Sequence, residues 1–462
     1  MQPTLFGDLS KPASAVLFSG MGGACLGIEG ATGTSPLAAV NHWPYALRIH
    51  AMNHPATRHY PEDVFNVPPD LASRGRRLGL LWMSPDCTDH SRAKGGVPRT
   101  TGRRSLADVI FLWLSSGVQP AVLMLENVPE FKDWGPLHPD DHPDPKKRGR
   151  PIKERRGELF KEWIRKVEAF GYRVEWRLLK ACDYGAPTIR QRLYLIARRD
   201  GRPIVWPEPT HGPGRPLPWK TAAECIDWSI PARSIFGRKK PLADATQRRI
   251  AAGLVKYVLK AERPYIVPGG AAYMVQVGYG ERKGQKARIL DINPPLTTVV
   301  STGQKHGMVM AWLAKHYTGV VGSSLDAPLG TVTTVDHHSL CTAHLSPAED
   351  EGARRVYAFL TSYYGQSIGS DLRDPCPTVT TKDRFGLVTV EVEGHPYVVV
   401  DIRMRMLAPR ELARAMGFPD SYRMDGTIQD QVAAVGNAVC PPVARALVAA
   451  NVGPSASAAV WQ

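Results

Sequence analysis

The run AVLFSGMGG, residues 15–23, decides how the first half of the chain is read. Four residues that suit a buried, extended strand give way at once to Gly20, Gly22 and Gly23. Such a break permits a tight strand-to-helix turn and lets a ligand approach the backbone closely. Taken alone it fits a plain structural bend as readily as a cofactor site. Outward from this turn, apolar runs at 37–41, 78–83, 121–125, 172–179 and 192–197 alternate with helical patterns such as 105–116 and 157–170. That alternation predicts an α/β fold with a mostly parallel sheet wound on both faces. Ligands of such sheets bind beyond the carboxyl ends of the strands, so residues just after each strand are the candidates.

Composition narrows the class. The 462 residues carry a formal charge of +15, with 43% hydrophobic and 22% charged side chains. A chain of this size buries a full core and divides into two domains. No run of about 18 uncharged apolar residues predicts a membrane span, and the N-terminus lacks a signal-peptide pattern. A cytoplasmic protein with no membrane association is expected. The positive excess suits a polyanionic partner, and equally a composition that is simply rich in arginine. Seven cysteines without a CxxC pair point to reduced thiols and give no metal-site spacing, so no metal is expected.

From about residue 206 to 400 prolines, glycines and short β-rich runs dominate, and related segments begin at Gly278, His316 and Tyr363. Each copy carries a glycine turn, a proline and a Thr/Val strand, which reads as a repetitive β module. Residues 407–417 and 431–449 then read as helices returning to the first domain. The expected organisation is 1–204, a β-rich domain at 205–400, and 401–452 completing the first domain.

Several strand ends carry chemistry. Asn41-His42-Trp43 follows the second strand, where Trp43 could lie flat on an adenine or simply pack in the core. Glu62-Asp63-Val64 stands near the third strand end, where Asp63 could accept from an adenine amino group. After the fourth strand comes Ser84-Pro85-Asp86-Cys87, and a loop cysteine there is placed as a nucleophile or is a small buried hydrophobe. Glu126 closes the fifth strand beside that loop. Arg190 and Arg192 share one face of a starting strand, for a ligand or for solvent. The basic run KKRGRPIKERR, residues 146–156, reads as a surface insert that touches phosphates or nothing; its Arg148-Gly149-Arg150-Pro151 resembles a minor-groove hook.

Taken in order, LFSGMGG, NHW, EDV, SPDC, ENV, RQR, RMLAPRELARAMGFPD and GNAV strongly resemble the cytosine-5 DNA methyltransferases, over residues 15–199 and 407–447. The resemblance implies a Rossmann-like S-adenosylmethionine-dependent methyltransferase domain plus a smaller β-rich target-recognition domain, with DNA in a basic cleft between them. It places the nucleophile on Cys87, the carboxylate on Glu126 and the paired arginines on Arg190 and Arg192. It assigns S-adenosyl-L-methionine to Phe18, Ser19, Gly20, Gly22, Gly23, His42, Trp43, Asp63, Val64, Leu106, Asn437 and Ala438. The implied partner is double-stranded DNA, its target base flipped out, and the implied state is a monomer, with or without an associated restriction endonuclease. Four positions depart from the pattern: Val16, His42, Asp86 and Thr188 stand where an aspartate, a ribose-binding glutamate, a proline and a glutamine are usual. Asp86 should raise the pKa of its neighbour Cys87 unless Arg92, Lys94 or one of the paired arginines offsets it. An RNA cytosine-5 methyltransferase of the same family, acting on tRNA, and a catalytically weak DNA-binding homologue are the rival readings.

Overall fold

The computed structural model describes residues 13–86, 106–255, 308–315, 328–334, 338–346, 356, 389–392 and 395–452. The chain forms two compact units, one comprising the residues up to 186, 190–218 and those from 416 onward, the other 187–189 and 219–415.

The first unit is built on a seven-stranded sheet of β1 (Ala13–Leu17), β2 (Ala38–Val40), β3 (Arg58–Tyr60), β4 (Leu78–Met83), β5 (Val122–Asn127), β6 (Arg173–Lys180) and β7 (Gln191–Arg198), in the order β3-β2-β1-β4-β5-β7-β6. The first five strands are parallel, and β7 runs antiparallel to both β5 and β6. Every residue of β1 and β5 is buried, as apolar runs covered on both faces should be. The sheet is therefore the mostly parallel, Rossmann-like one expected. Its helices are α1 (Gly23–Thr32), α2 (Pro44–Asn53), α3 (Pro69–Ser73), α4 (Val109–Ser115) and α5 (Glu158–Ala169). Helix α5 buries Phe160, Trp163, Ile164 and Val167, the spacing of one helical face.

In the second unit an antiparallel sheet runs β11 (Thr389–Val392), β12 (His395–Met406), β10 (His338–Ser346), β9 (Met308–Lys315), and β8 (Arg233–Ser234) pairs with β12. It carries α6 (Asp244–Leu254) and α7 (Pro409–Ala415). The repeated segments fall largely outside the described residues. The unit boundary differs from the expected one. Strand β12 continues to Met406, and Glu411 of α7 accepts from the Asp227 amide (2.8 Å), so residues 401–415 belong with the second unit.

The C-terminal pattern read as one helix is two, α8 (Ile428–Asn437) and α9 (Pro441–Asn451). Pro441 and Pro442 cannot continue a helix but can start one, so the chain breaks at residues 438–440. By length and apolarity Ile428–Asn451 could cross a membrane, yet 67% of its most apolar 18-residue window is buried inside the protein. Helix α9 packs on α1 along a stripe without side chains. A Cβ at Gly27 would meet the Ala444 Cβ at 2.5 Å and the Pro441 carbonyl at 2.9 Å, and one at Gly23 would collide with the Val439 carbonyl.

Candidate active site

Strand order reverses at β1: β2 and β3 extend one side of it, β4 and β5 the other. The crevice beyond the carboxyl ends at such a reversal is where open α/β sheets bind ligands. The turn Phe18–Gly23 sits there. Phe18 (φ 55), Gly20 (φ 53) and Gly22 (φ 104) are all left-handed, a conformation that strains phenylalanine and not glycine. The Ser19 amide donates to the Val40 carbonyl at 3.1 Å. Its side chain is 6% exposed, and Oγ has no hydrogen-bond partner among the described residues. An orphaned buried hydroxyl costs about 1–3 kcal/mol, which makes Ser19 a candidate for a hydrogen bond to a bound group.

The three glycines divide in role. A Cβ at Gly20 would meet open space, leaving that backbone approachable. At Gly22 it would strike the Tyr422 hydroxyl and lie 2.6 Å from His54 Nε2, and Gly23 lies against Val439. Protein, not ligand space, fills the missing side chains of Gly22 and Gly23. The groups filling it form a buried polar chain invisible in the sequence. Tyr422 donates to the Met21 carbonyl within the turn. Its one proton being spent, it accepts from His54 Nε2 at 3.2 Å, and His54 Nδ1 faces Glu29 Oε2 at 2.9 Å. Beside it His50 Nδ1 meets His59 Nε2 at 2.8 Å and His50 Nε2 meets Cys25 Sγ at 3.0 Å.

Burial first, then the neighbouring His54 and His59, holds the His50 pKa well below 6.5. His59 is lowered by the same burial and by His54. The unfolded chain then binds protons that the folded one refuses. The stability these neutral rings confer is complete above about pH 6.5 and drains away as pH falls below it. Thermal midpoints should drop from pH 8 to pH 5.5, and the drop should shrink in His50→Gln. An equal pH response in the two proteins would refute this.

The remaining cofactor candidates line the same edge of the sheet. Asn41 Oδ1 accepts from the Trp43 amide at 2.8 Å and sets the entry to α2. Trp43 is half-buried, its ring 5.4 Å from Tyr45, so it is not a core residue. His42 is exposed. Asp63, also exposed, accepts from the Phe65 amide at 3.0 Å, while Val64 is buried. Leu106 opens a short 3-10 turn ahead of α4, half-buried. Asn437 is exposed between buried Gly436 and Ala438 at the end of α8.

At the neighbouring strand ends, Met83 pairs with Leu125, which brings the segment after β4 alongside Glu126. Asn127 Nδ2 donates to the Pro85 carbonyl at 3.2 Å, tying that segment to β5. Cys87 itself lies outside the described residues. Five of the seven cysteines are described: Cys25, Cys182, Cys225, Cys341 and Cys440, all buried. Burial pushes each of their thiols up, Cys182 to about 12 and Cys440 to about 11, which removes all five as nucleophiles near neutral pH.

Glu126 Oε1 lies 3.3 Å from Arg192 Nε, with side chains 8% and 14% exposed. A buried ion pair contributes little to stability against an apolar substitute, so stability alone does not account for its placement. Arg190 does something else. Its guanidinium donates to the carbonyls of Gly436 (3.1 Å) and Ala438 (3.2 Å), on either side of Asn437. Alternation along β7 put Arg190 and Arg192 on one face, but Arg190 precedes the strand and grips the C-terminal segment.

A parallel sheet reversing at β1, closed by an antiparallel pair and carrying a buried carboxylate–guanidinium pair at its ligand edge, defines a Rossmann-like methyltransferase fold. Residues 14–139, 149–227 and 350–452 match the family model described as C-5 cytosine-specific DNA methylase, so the chain belongs to that family. It is 25% identical over 232 residues to the Type II methyltransferase M.AquIA of Picosynechococcus, covering 47% of this chain and 88% of that protein. It is 24% identical over 502 residues to DNA (cytosine-5)-methyltransferase 1 of Rattus norvegicus, covering 98% of this chain and only 29% of that one. Among solved structures, the Dnmt2 methyltransferase of S. pombe aligns with 95% of this chain and 97% of its own, at 14% identity and a TM-score of 0.47.

Proposed function

We propose that this chain transfers a methyl group from S-adenosylmethionine to C5 of a cytosine in duplex DNA. Family membership supports the reaction class, and the Glu126–Arg192 pair, where the carboxyl end of β5 meets the amino end of the antiparallel β7, is the observation that carries the reading. The residues fit the cofactor: Ser19 Oγ is buried and unpartnered among the described residues, and Gly20 opens to free space. In this reading Phe18–Gly23, Trp43, Asp63, Val64, Leu106 and the segment at Asn437 hold it. Once bound it supplies an electrophilic methyl group.

The chain's own groups prepare the base. Cytosine C5 is a poor nucleophile in the aromatic ring. The Cys87 thiolate adds its electron pair to C6, forming a C–S bond and shifting the ring electrons toward C5. Glu126, carrying a proton, donates to N3 and so favours the addition, and Arg192 balances charge at the O2 side. Once C5 has taken the methyl group, its proton is lost to water, the C–S bond breaks and the thiolate departs with its electron pair, restoring the aromatic ring. A stacked base cannot be reached, so it must leave the helix. Arg190 acts as a positioning residue, holding the carbonyls beside Asn437. The second unit, with its antiparallel sheet, is read as the target-recognition domain, suited to the major groove where all four base pairs differ.

The test offers radiolabelled S-adenosylmethionine to the full chain with duplex DNA or a tRNA transcript. Label recovered as 5-methylcytosine in DNA supports the reading. Label in tRNA alone, or in neither, overturns it.

A further inference from the structure

Residues 140–148 fall in a gap between the stretches matched by the family model. They form the tip of a closed hairpin in the connection from β5 to α5. Both ends of that connection lie at the carboxyl edge of the sheet, because β5 ends there and α5 begins there. The base is pinched shut. The Gly157 amide donates to Asp133 (3.2 Å), that of Phe160 to Trp134 (3.0 Å), and a Cβ at Gly135 would collide with the Arg155 carbonyl. Above it His138 donates to Arg150 (2.8 Å), Gly149 donates to His138 (3.1 Å), and Ile152 donates to Pro136 (3.0 Å). At the tip Asp144 Oδ1 accepts from the Lys146 amide at 2.8 Å, and Arg148 Nε donates to the His142 carbonyl at 2.8 Å. The loop is held by its own bonds rather than by the core.

Its charges are sorted. Asp140 and Asp141 precede the turn; from 146 to 156 there are seven Lys and Arg against one Glu154. Arg155 is paired with Glu158 and Arg156 with Asp133, and both pairs brace the base. Lys146, Lys147 and Arg150 are exposed and make no ion pair with a described residue. A backbone-braced hairpin presenting three unneutralised cations beside the ligand edge gains most by displacing counterions from a phosphate backbone.

Building on the proposed reaction with duplex DNA, we infer that this hairpin is an accessory DNA-backbone clamp, in which Lys146, Lys147 and Arg150 contact phosphates outside the flipped base. Such contacts add affinity independent of base sequence. The experiment measures binding of the full chain to a fluorescent 30-base-pair duplex, and to a duplex RNA of equal length, across potassium chloride concentrations. The variant is Lys146→Ala/Lys147→Ala/Arg150→Ala, with Lys146→Arg/Lys147→Arg/Arg150→Lys as the charge-keeping control. At about 0.9 per phosphate contact, the slope of log affinity against log salt on DNA should become shallower by about 2 to 3 in the alanine variant and stay at the wild-type value in the control. An unchanged slope in the alanine variant, or a change confined to RNA, overturns the clamp while leaving the proposed reaction standing. No DNA binding by the wild-type chain overturns both.

Discussion

Cys87→Ser abolishes methyl transfer to DNA, by at least about 10³-fold, the scale on which losing a catalytic nucleophile acts. Serine nearly preserves size and hydrogen bonding, so the change isolates the chemistry. A thiol near its ordinary pKa of about 8.5 supplies some thiolate at neutral pH, whereas a serine hydroxyl supplies essentially none without a dedicated base. The described residues offer no substitute, because the other five described thiols are buried and held in the protonated form. Thermal stability should move by less than about 0.5 kcal/mol if Cys87 serves chemistry and not packing. Binding of S-adenosylmethionine, measured by calorimetry, should be retained. Transfer at more than a tenth of the wild-type rate would remove Cys87 from the mechanism. Loss of cofactor binding along with transfer would instead assign it a structural role.

The strands were legible because their signals are local. Each is a short apolar run, and the observed β1, β5 and β7 lie within two residues of the expected ones. The candidates at strand ends were legible for the same reason, since parallel topology alone sends those residues to one edge. What the sequence concealed are contacts across hundreds of positions. Gly22 and Gly23 read as cofactor glycines, but their neighbours are Tyr422, His54 and Val439. Nothing near residue 22 announces a tyrosine 400 positions later. Arg190 and Arg192 looked equivalent by alternation, and only the packing of 436–438 separates them. The break between α8 and α9 was available in Pro441-Pro442, where apolar periodicity outweighed the stronger signal of two prolines.

Glu411→Ala should destabilise the second unit by about 3–5 kcal/mol, the cost of stripping one partner from a buried ion pair. Glu411 has no exposed surface, and its carboxylate takes both Arg405 Nη1 and Nη2 at 2.7 Å. It also accepts from the Asp227 amide at 2.8 Å and the Ala408 amide at 2.6 Å. The Ala408 contact is the carboxylate half of a capping box, with Glu411 at the third position of α7. One side chain thus caps a helix, neutralises an arginine and holds a distant loop. In alanine's place, the Arg405 guanidinium stays buried without its counter-charge and two amides lose their acceptor. Because the chain has two units, a single global melting midpoint would blur the effect. Amide hydrogen exchange reads it locally: Asp227 and Ala408 should lose about two to three and a half orders of magnitude of protection, at 1.4 kcal/mol per tenfold. Glu411→Gln, which keeps an oxygen acceptor but not the charge, should fall between. Protection within threefold of wild type in Glu411→Ala would mean that Arg405 finds other partners and that the carboxylate is not what joins 227 to α7. The run RMLAPRELARAMGFPD, which pointed toward the methylase family, contains this clamp in its first seven residues. Part of what made the chain recognisable is thus a structural fastening within the second unit.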